Sequence, residues 1–286
     1  METKIRIALQ KKGRLNEDSM KLFKEAGIKF NVGSGKLVAS SPAFPIEVLF
    51  LRDDDIPQTV ADGVADIGVV GENEMYEKGY DVDVVRKLGF GKCRLSLAVP
   101  KAQDYPGIEW FKGKKVATSY PNILKKYFDD NGIIADIHEI AGSVEIAPGI
   151  GLADAIFDIV SSGSTLVANR LREVDVAMKS EAVLIAKKEM EPEKQAILEE
   201  LLFRINAVQT ANSNKYVLLN APNDKVEEIV KILPGMKSPT VLPLADKGWS
   251  SIHSVISEKE FWDVIGKLKE NGAQGILIIP IEKMIL

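Results

Sequence analysis

The sequence predicts an α/β protein: two successive mixed lobes followed by a separate βαββαβ sandwich. Three observations carry this. Short apolar runs alternate with helically spaced apolar residues from residue 5 to residue 160, the rhythm of βαβ units. The rhythm restarts after Pro100, so the first part divides in two. Residues 216–279 then read strand, helix, strand, strand, helix, strand.

The elements follow in order. Residues 5–9 (IRIAL) predict a buried strand. Leu15, Ser19, Leu22, Phe23 and Ala26 share one helical face, with Asn16 as expected N-cap and Gly27 as stop. Residues 46–51 read as a strand, 55–65 as a helix and 67–70 (IGVV) as another buried strand. Residues 94–99 predict a strand running into Pro100. A second unit begins at the strand 115–118, continues with a helix over 122–130 that Asn131-Gly132 closes, and adds strands at 136–140 and 153–160. The polar stretch 187–195 predicts an exposed turn leading into a connecting helix. In the last region, 216–220 is a strand. Val226, Ile229, Val230 and Leu233 repeat at helical spacing until Pro234-Gly235. Residues 240–244 and 252–256 are strand-like, and Ser257 and Glu260 form an S-x-x-E capping box. Phe261, Val264, Ile265 and Leu268 give the helix its apolar face, Asn271-Gly272 ends it, and 275–279 is the last strand, completing a ferredoxin-like pattern.

Composition narrows the function. The chain has 286 residues, enough for two or three domains, with 45% apolar and 27% charged residues. Its 41 acidic residues exceed its 37 basic ones, which argues against a nucleic-acid-binding surface. One cysteine and two histidines, Cys93, His138 and His253, cannot supply a disulfide framework, a cysteine-rich zinc site or a histidine-driven triad. Residues 1–15 lack the apolar core of a signal peptide, and the longest apolar-rich stretch, residues 275–281, is too short to cross a bilayer. A cytoplasmic location with no membrane partner is the expectation.

The segment DIVSSGST, residues 158–165, carries the most chemistry. An apolar strand ends in Asp158 and passes through Ser161, Ser162 and Gly163 into Ser164 and Thr165. Glycine admits close backbone approach, and the hydroxyls add donors, as a phosphate monoester requires. Asp158 can accept from ribose hydroxyls. Taken by itself, S-S-G-S-T is equally a serine-rich turn with an N-cap; strand, acid and loop together favour a sugar-phosphate site. The turn Lys11-Lys12-Gly13-Arg14 is either a partner for phosphates or a solvated surface turn. Glu72 and Asn73 follow a buried strand, where open sheets place ligands; helix capping is the other reading. Arg94 is either a phosphate clamp or a surface ion pair. Asp53, Asp54 and Asp55 fit the opening of a helix better than a metal site. The two histidines show no partner constellation.

The wider stretch 145–166, EIAPGIGLADAIFDIVSSGSTL, resembles the signature of the ATP phosphoribosyltransferase family. Glu145, Gly151, Ala153, Ile156, Asp158, Ile159, Ser162, Gly163, Thr165 and Leu166 carry the match. QKKGRL (10–15), RDDDIP (52–57), DIGVVGEN (66–73), CRLSLAVP (93–100), ATSYP (117–121) and LPGMKSPTVLPLA (233–245) extend it over essentially the whole chain, in the long form. Common phosphoribosyltransferases place two acids before the phosphate loop. Here Phe157 takes the first position and only Asp158 remains.

The resemblance implies a two-lobed cleft like that of type II periplasmic binding proteins, crossed twice by the chain, with an ACT-like regulatory domain. The implied division is 1–96 plus 178–206, 97–177 and 207–286. The implied reaction joins adenine N1 of ATP to the anomeric carbon of 5-phosphoribosyl 1-pyrophosphate and releases pyrophosphate, with Mg²⁺, as the first step of histidine biosynthesis. Glu145 and Asp158 would face the ribose hydroxyls, and Ser161, Ser162, Gly163, Ser164 and Thr165 would hold the 5-phosphate. Gln10, Lys11, Gly13, Arg14, Glu72, Asn73 and Arg94 would border ATP and pyrophosphate. No residue stands out as a general acid or base. Asn220, Met236, Thr240 and Gly275 match effector contacts for inhibitory L-histidine, with aspartate in some relatives where Asn220 stands here. The resemblance further implies a homo-oligomer, dimer or hexamer, and no separate regulatory subunit. Two other classes fit a two-lobed cleft. A prephenate dehydratase-like ACT enzyme would carry a Thr-Arg-Phe motif, which this chain lacks; a non-enzymatic solute-binding protein would leave the phosphate loop without a role.

Overall fold

The computed structural model describes residues 3–33, 37–233, 235 and 238–286. These form two compact units, one of Met1–Lys21 with Ile28–Leu198, the other of Leu22–Gly27 with Glu199–Leu286.

The first unit holds two sheets. One is built from β1 (Ile5–Gln10), β2 (Val38–Ser40), β3 (Ile46–Leu51), β4 (Ile67–Gly71), β5 (Val82–Lys87) and β11 (Ala182–Lys187), in the order β2-β3-β1-β4-β11-β5. β1 runs parallel to β3 and β4, while β11 enters antiparallel between β4 and β5. The second sheet contains β6 (Cys93–Pro100), β7 (Lys115–Thr118), β8 (Asp136–Glu139), β9 (Ala155–Val160) and β10 (Leu171–Ser180), in the order β10-β6-β9-β7-β8. Here β7, β8 and β9 are parallel, β6 runs antiparallel to β9, and β10 antiparallel to β6. The chain leaves the first sheet between β5 and β6 and returns between β10 and β11. Two crossings, with β2 and β11 opposing the parallel set of the first sheet and β6 opposing that of the second, give the type II periplasmic-binding-protein arrangement.

Apolar residues build both sheets from both faces, as parallel strands require. Ile5, Ile7, Ala8 and Leu9 of β1 are all buried. Ala8 packs with Ile56 and Val60 of α2 (Ile56–Ala61) and with Val70, Val183 and Ile185. In the second sheet, Leu95, Leu97, Val116 and Phe157 pack on Leu124 and Phe128 of α4 (Pro121–Asp130), and Ile156 and Val160 pack with Leu166 of α5 (Ser164–Ala168) on the other face.

The second unit carries β12 (Asn214–Pro222), α7 (Val226–Ile232), β13 (Thr240–Pro243), β14 (Trp249–Ser257), α8 (Glu258–Glu270) and β15 (Gln274–Pro280). The strand order is β13-β14-β12-β15, antiparallel throughout, and both helices cover one face. This is the expected ferredoxin-like sandwich. The Ser257–Glu260 capping box is present in full: Ser257 Oγ accepts from Glu260 N–H, and the glutamate accepts from Ser257 N–H.

Several local expectations change. The first helix, α1 (Arg14–Glu25), starts before Asn16, whose amide instead donates to the Gln10 carbonyl at 2.6 Å. The helix expected over 55–65 is a 3-10 turn at Asp53–Asp55 followed by the short α2, because the chain turns at Asp62 and Gly63. The exposed turn before the connecting helix α6 (Pro192–Asn212) is shorter than 187–195, since β11 runs to Lys187. Pro234 lies outside the described residues.

Candidate active site

Open α/β sheets place ligands beyond the carboxyl ends of their parallel strands. Five such ends meet here around one cavity of about 470 Å³. From the first sheet come Gln10 after β1, Asp53 after β3, and Gly71, Asn73 and Glu74 after β4. From the second come Tyr120 after β7 and Ser161 after β9. Arg14, Leu15 and Asp18 of α1, Ile159 of β9, and Gly91, Lys92, Cys93 and Ala182 from the two crossings complete the lining.

The loop after β9 turns through Gly163 at φ +81°, a left-handed conformation that suits glycine, and enters α5. Ser162 Oγ lies 3.0 Å from Ser164 Oγ, so the hydroxyls are clustered; Ser162, Ser164 and Thr165 are exposed. Asp158 precedes the loop, and one of its oxygens accepts from the Ile159 N–H at 2.7 Å. Burial holds the Asp158 carboxyl above the usual range, and the neighbouring charge of Glu145 adds to the effect. Asp158 and Glu145 are thus brought together.

Arg94 is committed elsewhere. Its Nε and Nη2 form a bidentate pair with Glu173 on β10, both at 2.5 Å, and Nη1 donates to the Ser161 carbonyl at 3.1 Å. Ser96 also donates to Glu173, whose carboxyl is held below its usual range, chiefly by the Arg94 hydrogen bond. Arg94 therefore braces the loop's first residue.

The expected nucleotide side divides. Gln10, Arg14 and Asn73 line the cavity, together with the loop residue Ser161. Lys11 and Gly13 lie on the exposed turn beside them, where the Lys11 N–H donates to the Leu51 carbonyl at 2.7 Å. Glu72 faces away. It is buried, pairs with Lys87 at 3.2 Å, and lines a different hollow with Tyr76 and Asn122. Asn73 is fixed by Ser180: its N–H donates to Ser180 Oγ at 3.0 Å, and that hydroxyl donates to Asn73 Oδ1 at 2.8 Å.

Glu74 and Tyr120 are additions that the sequence reading missed. Tyr120 Oη donates to Glu74 Oε1 at 2.9 Å, and Asn73 Nδ2 donates to the same oxygen at 3.2 Å. Burial raises the Glu74 carboxyl and the Tyr120 phenol alike. Among the described residues no group of three or more His, Cys, Asp or Glu is arranged to hold a metal ion.

In the sandwich, Asn220 pairs with Ser251 and Thr240 with His253, two residues apart on β14, so both point to the face opposite the core. Gly275, at φ +56°, has its missing Cβ position 3.4 Å from Asn220 Nδ2. Met236 lies outside the described residues. His253 is held by Tyr216 at Nδ1, 2.7 Å, and Ser251 at Nε2, 3.0 Å.

A family model described as ATP phosphoribosyltransferase matches residues 52–207, and one described as the HisG C-terminal domain matches 211–283. The chain belongs to the ATP phosphoribosyltransferase family. An ATP phosphoribosyltransferase of Phocaeicola vulgatus is 65% identical over 99% of this chain and all of its own length; that of Bacteroides thetaiotaomicron is 64% identical over the same shares. Among solved structures, an ATP phosphoribosyl transferase (HisG:HisZ) complex from Thermotoga maritima aligns with TM-score 0.61 and 29% identity, over 71% of this chain and 96% of that one. The C-terminal match coincides with the sandwich, so this is the long form. As an ATP phosphoribosyltransferase the chain is an enzyme of the first step of histidine biosynthesis, acting on ATP and phosphoribosyl pyrophosphate. No helix among the described residues is long and apolar enough to cross a membrane.

Proposed function

We propose that the cavity between the two sheets joins adenine N1 of ATP to C1 of phosphoribosyl pyrophosphate, giving N1-(5-phosphoribosyl)-ATP and pyrophosphate. The observation that carries this reading is the convergence of five parallel-strand ends from two sheets on a single cavity that includes Ser161. In this reading Ser161–Thr165 hold the 5-phosphate, and Asp158 and Glu145 face the ribose hydroxyls. Gln10, Arg14 and Asn73 line the nucleotide side, with Lys11 and Gly13 at its rim. Glu72 and Arg94 act at one remove, Arg94 by bracing Ser161. The proposed lobes are residues 1–96 with 178–206, and 97–177; residues 207–286 form the regulatory domain.

The chemistry asks little acid–base work of the protein. N1 already carries a lone pair. The bond from C1 to the pyrophosphate oxygen breaks as the N1–C1 bond forms, and the departing electron pair stays on pyrophosphate. Catalysis rests on bringing two anions into line and on stabilising the leaving charge. Arg14 and Lys92 are the cations lining the cavity. Mg²⁺ would neutralise the pyrophosphate, held chiefly by its oxygens and by water, since the described residues offer no cage of three.

The reading extends to regulation. L-Histidine binds the sandwich through Asn220, Thr240, Gly275 and Met236 and inhibits. The enzyme works as a cytoplasmic homo-oligomer, dimer or hexamer, without a separate regulatory subunit.

The test mixes protein, ATP, Mg²⁺ and phosphoribosyl pyrophosphate and follows the ultraviolet change of N1-substituted adenine. Its absence overturns the reading. Ser162→Ala with Thr165→Ala should weaken phosphoribosyl pyrophosphate binding by about 1–3 kcal/mol, as donors to the phosphate are lost. Unchanged affinity in calorimetry would remove the loop from this role.

A further inference from the structure

Helix α3 (Glu72–Lys78) follows β4 in the first sheet, yet much of its polar bonding reaches the other lobe. Its first residues are tied to the returning crossing. The Glu72 N–H donates to the Glu181 carbonyl at 2.9 Å, and Asn73 is locked to Ser180, the last residue of β10. Its last turn is tied to the start of α4. The Glu77 carboxylate is buried, 6% exposed, and accepts from backbone N–H groups of α4. One oxygen accepts from the Asn122 N–H at 2.9 Å and the other from the Ile123 N–H at 3.0 Å. The Asn122 side chain returns a bond to the Glu77 carbonyl at 3.0 Å.

Those two N–H groups belong to the first turn of α4, where a helix leaves donors without internal partners and carries partial positive charge. Pro121 opens that helix without a donor of its own. A carboxylate from the opposite lobe meets both needs. Tyr120, the residue before α4, forms the cavity wall and bonds Glu74 on the same α3. The contact is therefore a three-bond clasp directly behind the cavity.

We infer that Glu77 is a positioning residue for the transfer reaction: by capping α4 across the lobe junction it fixes the angle at which the two halves of the cavity face each other. The inference takes its reaction from the function proposed above. With one substrate bound mainly by the loop after β9 and the other mainly by the first sheet, that angle sets the distance from N1 to C1. Misplacement by an ångström is enough to cost about 100-fold in rate. Glu77 lies outside the cavity lining. Its loss should appear in turnover and leave the single-lobe site intact.

The experiment uses the full chain. Glu77→Gln keeps the shape but replaces one acceptor with an amide NH₂ that faces a backbone N–H. Turnover should fall about 10- to 100-fold, while the affinity for phosphoribosyl pyrophosphate alone, by calorimetry, stays within about threefold. Solution scattering should show a larger radius of gyration, a readout independent of turnover. Turnover within about twofold of the parent overturns the inference, as does a parallel loss of turnover, affinity and melting temperature, which marks a merely structural contact. If Glu77→Gln does not fold, Asn122→Ala decides. It removes one bond of the clasp, so turnover down at least about threefold at constant affinity supports the role, and unchanged turnover overturns it. A parent chain that forms no N1-substituted adenine would count against the proposed function, whereas an active parent with an equally active Glu77→Gln would count against the clasp.

Discussion

Asp158 and Glu173 face each other's strands across β6, and their surroundings push them in opposite directions. Glu173 is met by Arg94 and Ser96 and stays ionised below the usual range. Asp158 is half-buried beside Glu145, with the Ile159 N–H as its hydrogen-bond donor, and its carboxyl holds its proton to higher pH. Because the folded state binds more protons at Asp158 than the unfolded state does, ionising it costs stability, and that cost appears as pH rises through the raised value. In the proposed function, a carboxylate that accepts from ribose hydroxyls is thus kept at the expense of the fold. The affinity for phosphoribosyl pyrophosphate should fall on acidification, with a midpoint above that of an ordinary aspartate. Asp158→Asn should flatten this dependence and raise Tm at pH 7. Calorimetry over pH 4–8 and thermal melts check both; a parent profile as flat as the variant's would remove Asp158 from the ribose contact. At this scale the sequence is a good guide where chemistry is local. The loop's serines, glycine and acid stand in one run of residues. Glu74, Glu77 and Tyr120 do not, since α3 and the start of α4 meet only when the lobes do.

Among the elements, the strands most easily read are those buried on both faces. IRIAL, IGVV and the core of β9 carry continuous apolar runs. β5 and β10 escape the same test. VDVVRK and LREVDVAMKS mix charges into partly exposed edge strands, so neither a run nor a clean alternation survives. β11, AVLIAK, is a buried run whose signal was available; its place between β4 and β5 is decided by the second crossing, which local pattern does not encode. One residue knits several of these elements. Asp66, 2% exposed, precedes β4 and accepts from the Arg6 N–H of β1 at 2.8 Å; it also pairs with Lys187 of β11 at 3.2 Å and Lys194 of α6 at 2.9 Å. Burial alone would raise its carboxyl, but the Arg6 N–H and the two lysines outweigh this and lower it. A lowered value means stability that is present above the unfolded carboxylate range and is lost as pH falls through the folded one. Asp66→Ala leaves the Arg6 N–H without its acceptor and the two lysines with Glu191 alone, and should cost about 1–3 kcal/mol. Urea unfolding at pH 7 measures this, and the gap between parent and variant should narrow as pH is lowered. A gap independent of pH would show that packing rather than charge holds this corner.

For the whole molecule, regulation requires that a small change in the sandwich reach a reaction carried out by other residues. Residues Leu22–Gly27 belong to the second compact unit, the chain enters that unit again within α6, and the sandwich has its own core. The face proposed for the effector is polar at its centre. Asn220, Ser251, His253 and Tyr216 lie together on β12 and β14, with Thr240 beside them on β13. Both nitrogens of His253 are engaged, which leaves Asn220 as the amide available to a ligand in that group. Gly275 decides how much room Asn220 has. It sits at φ +56°, where side chains are strained, and any Cβ there would stand 3.4 Å from Asn220 Nδ2. Gly275→Val therefore loads the backbone and crowds the amide at once, while touching nothing in the catalytic cavity. If histidine binds where the proposed function places it, the concentration giving half-inhibition should rise at least about tenfold, a loss of roughly 1.4 kcal/mol of binding. Asn220→Ala should move it in the same direction without the backbone strain. Inhibition curves for the parent and both variants decide the matter: coincident curves would put the effector elsewhere, and a shift in Gly275→Val alone would trace the effect to strain in β15 rather than to contact with the ligand.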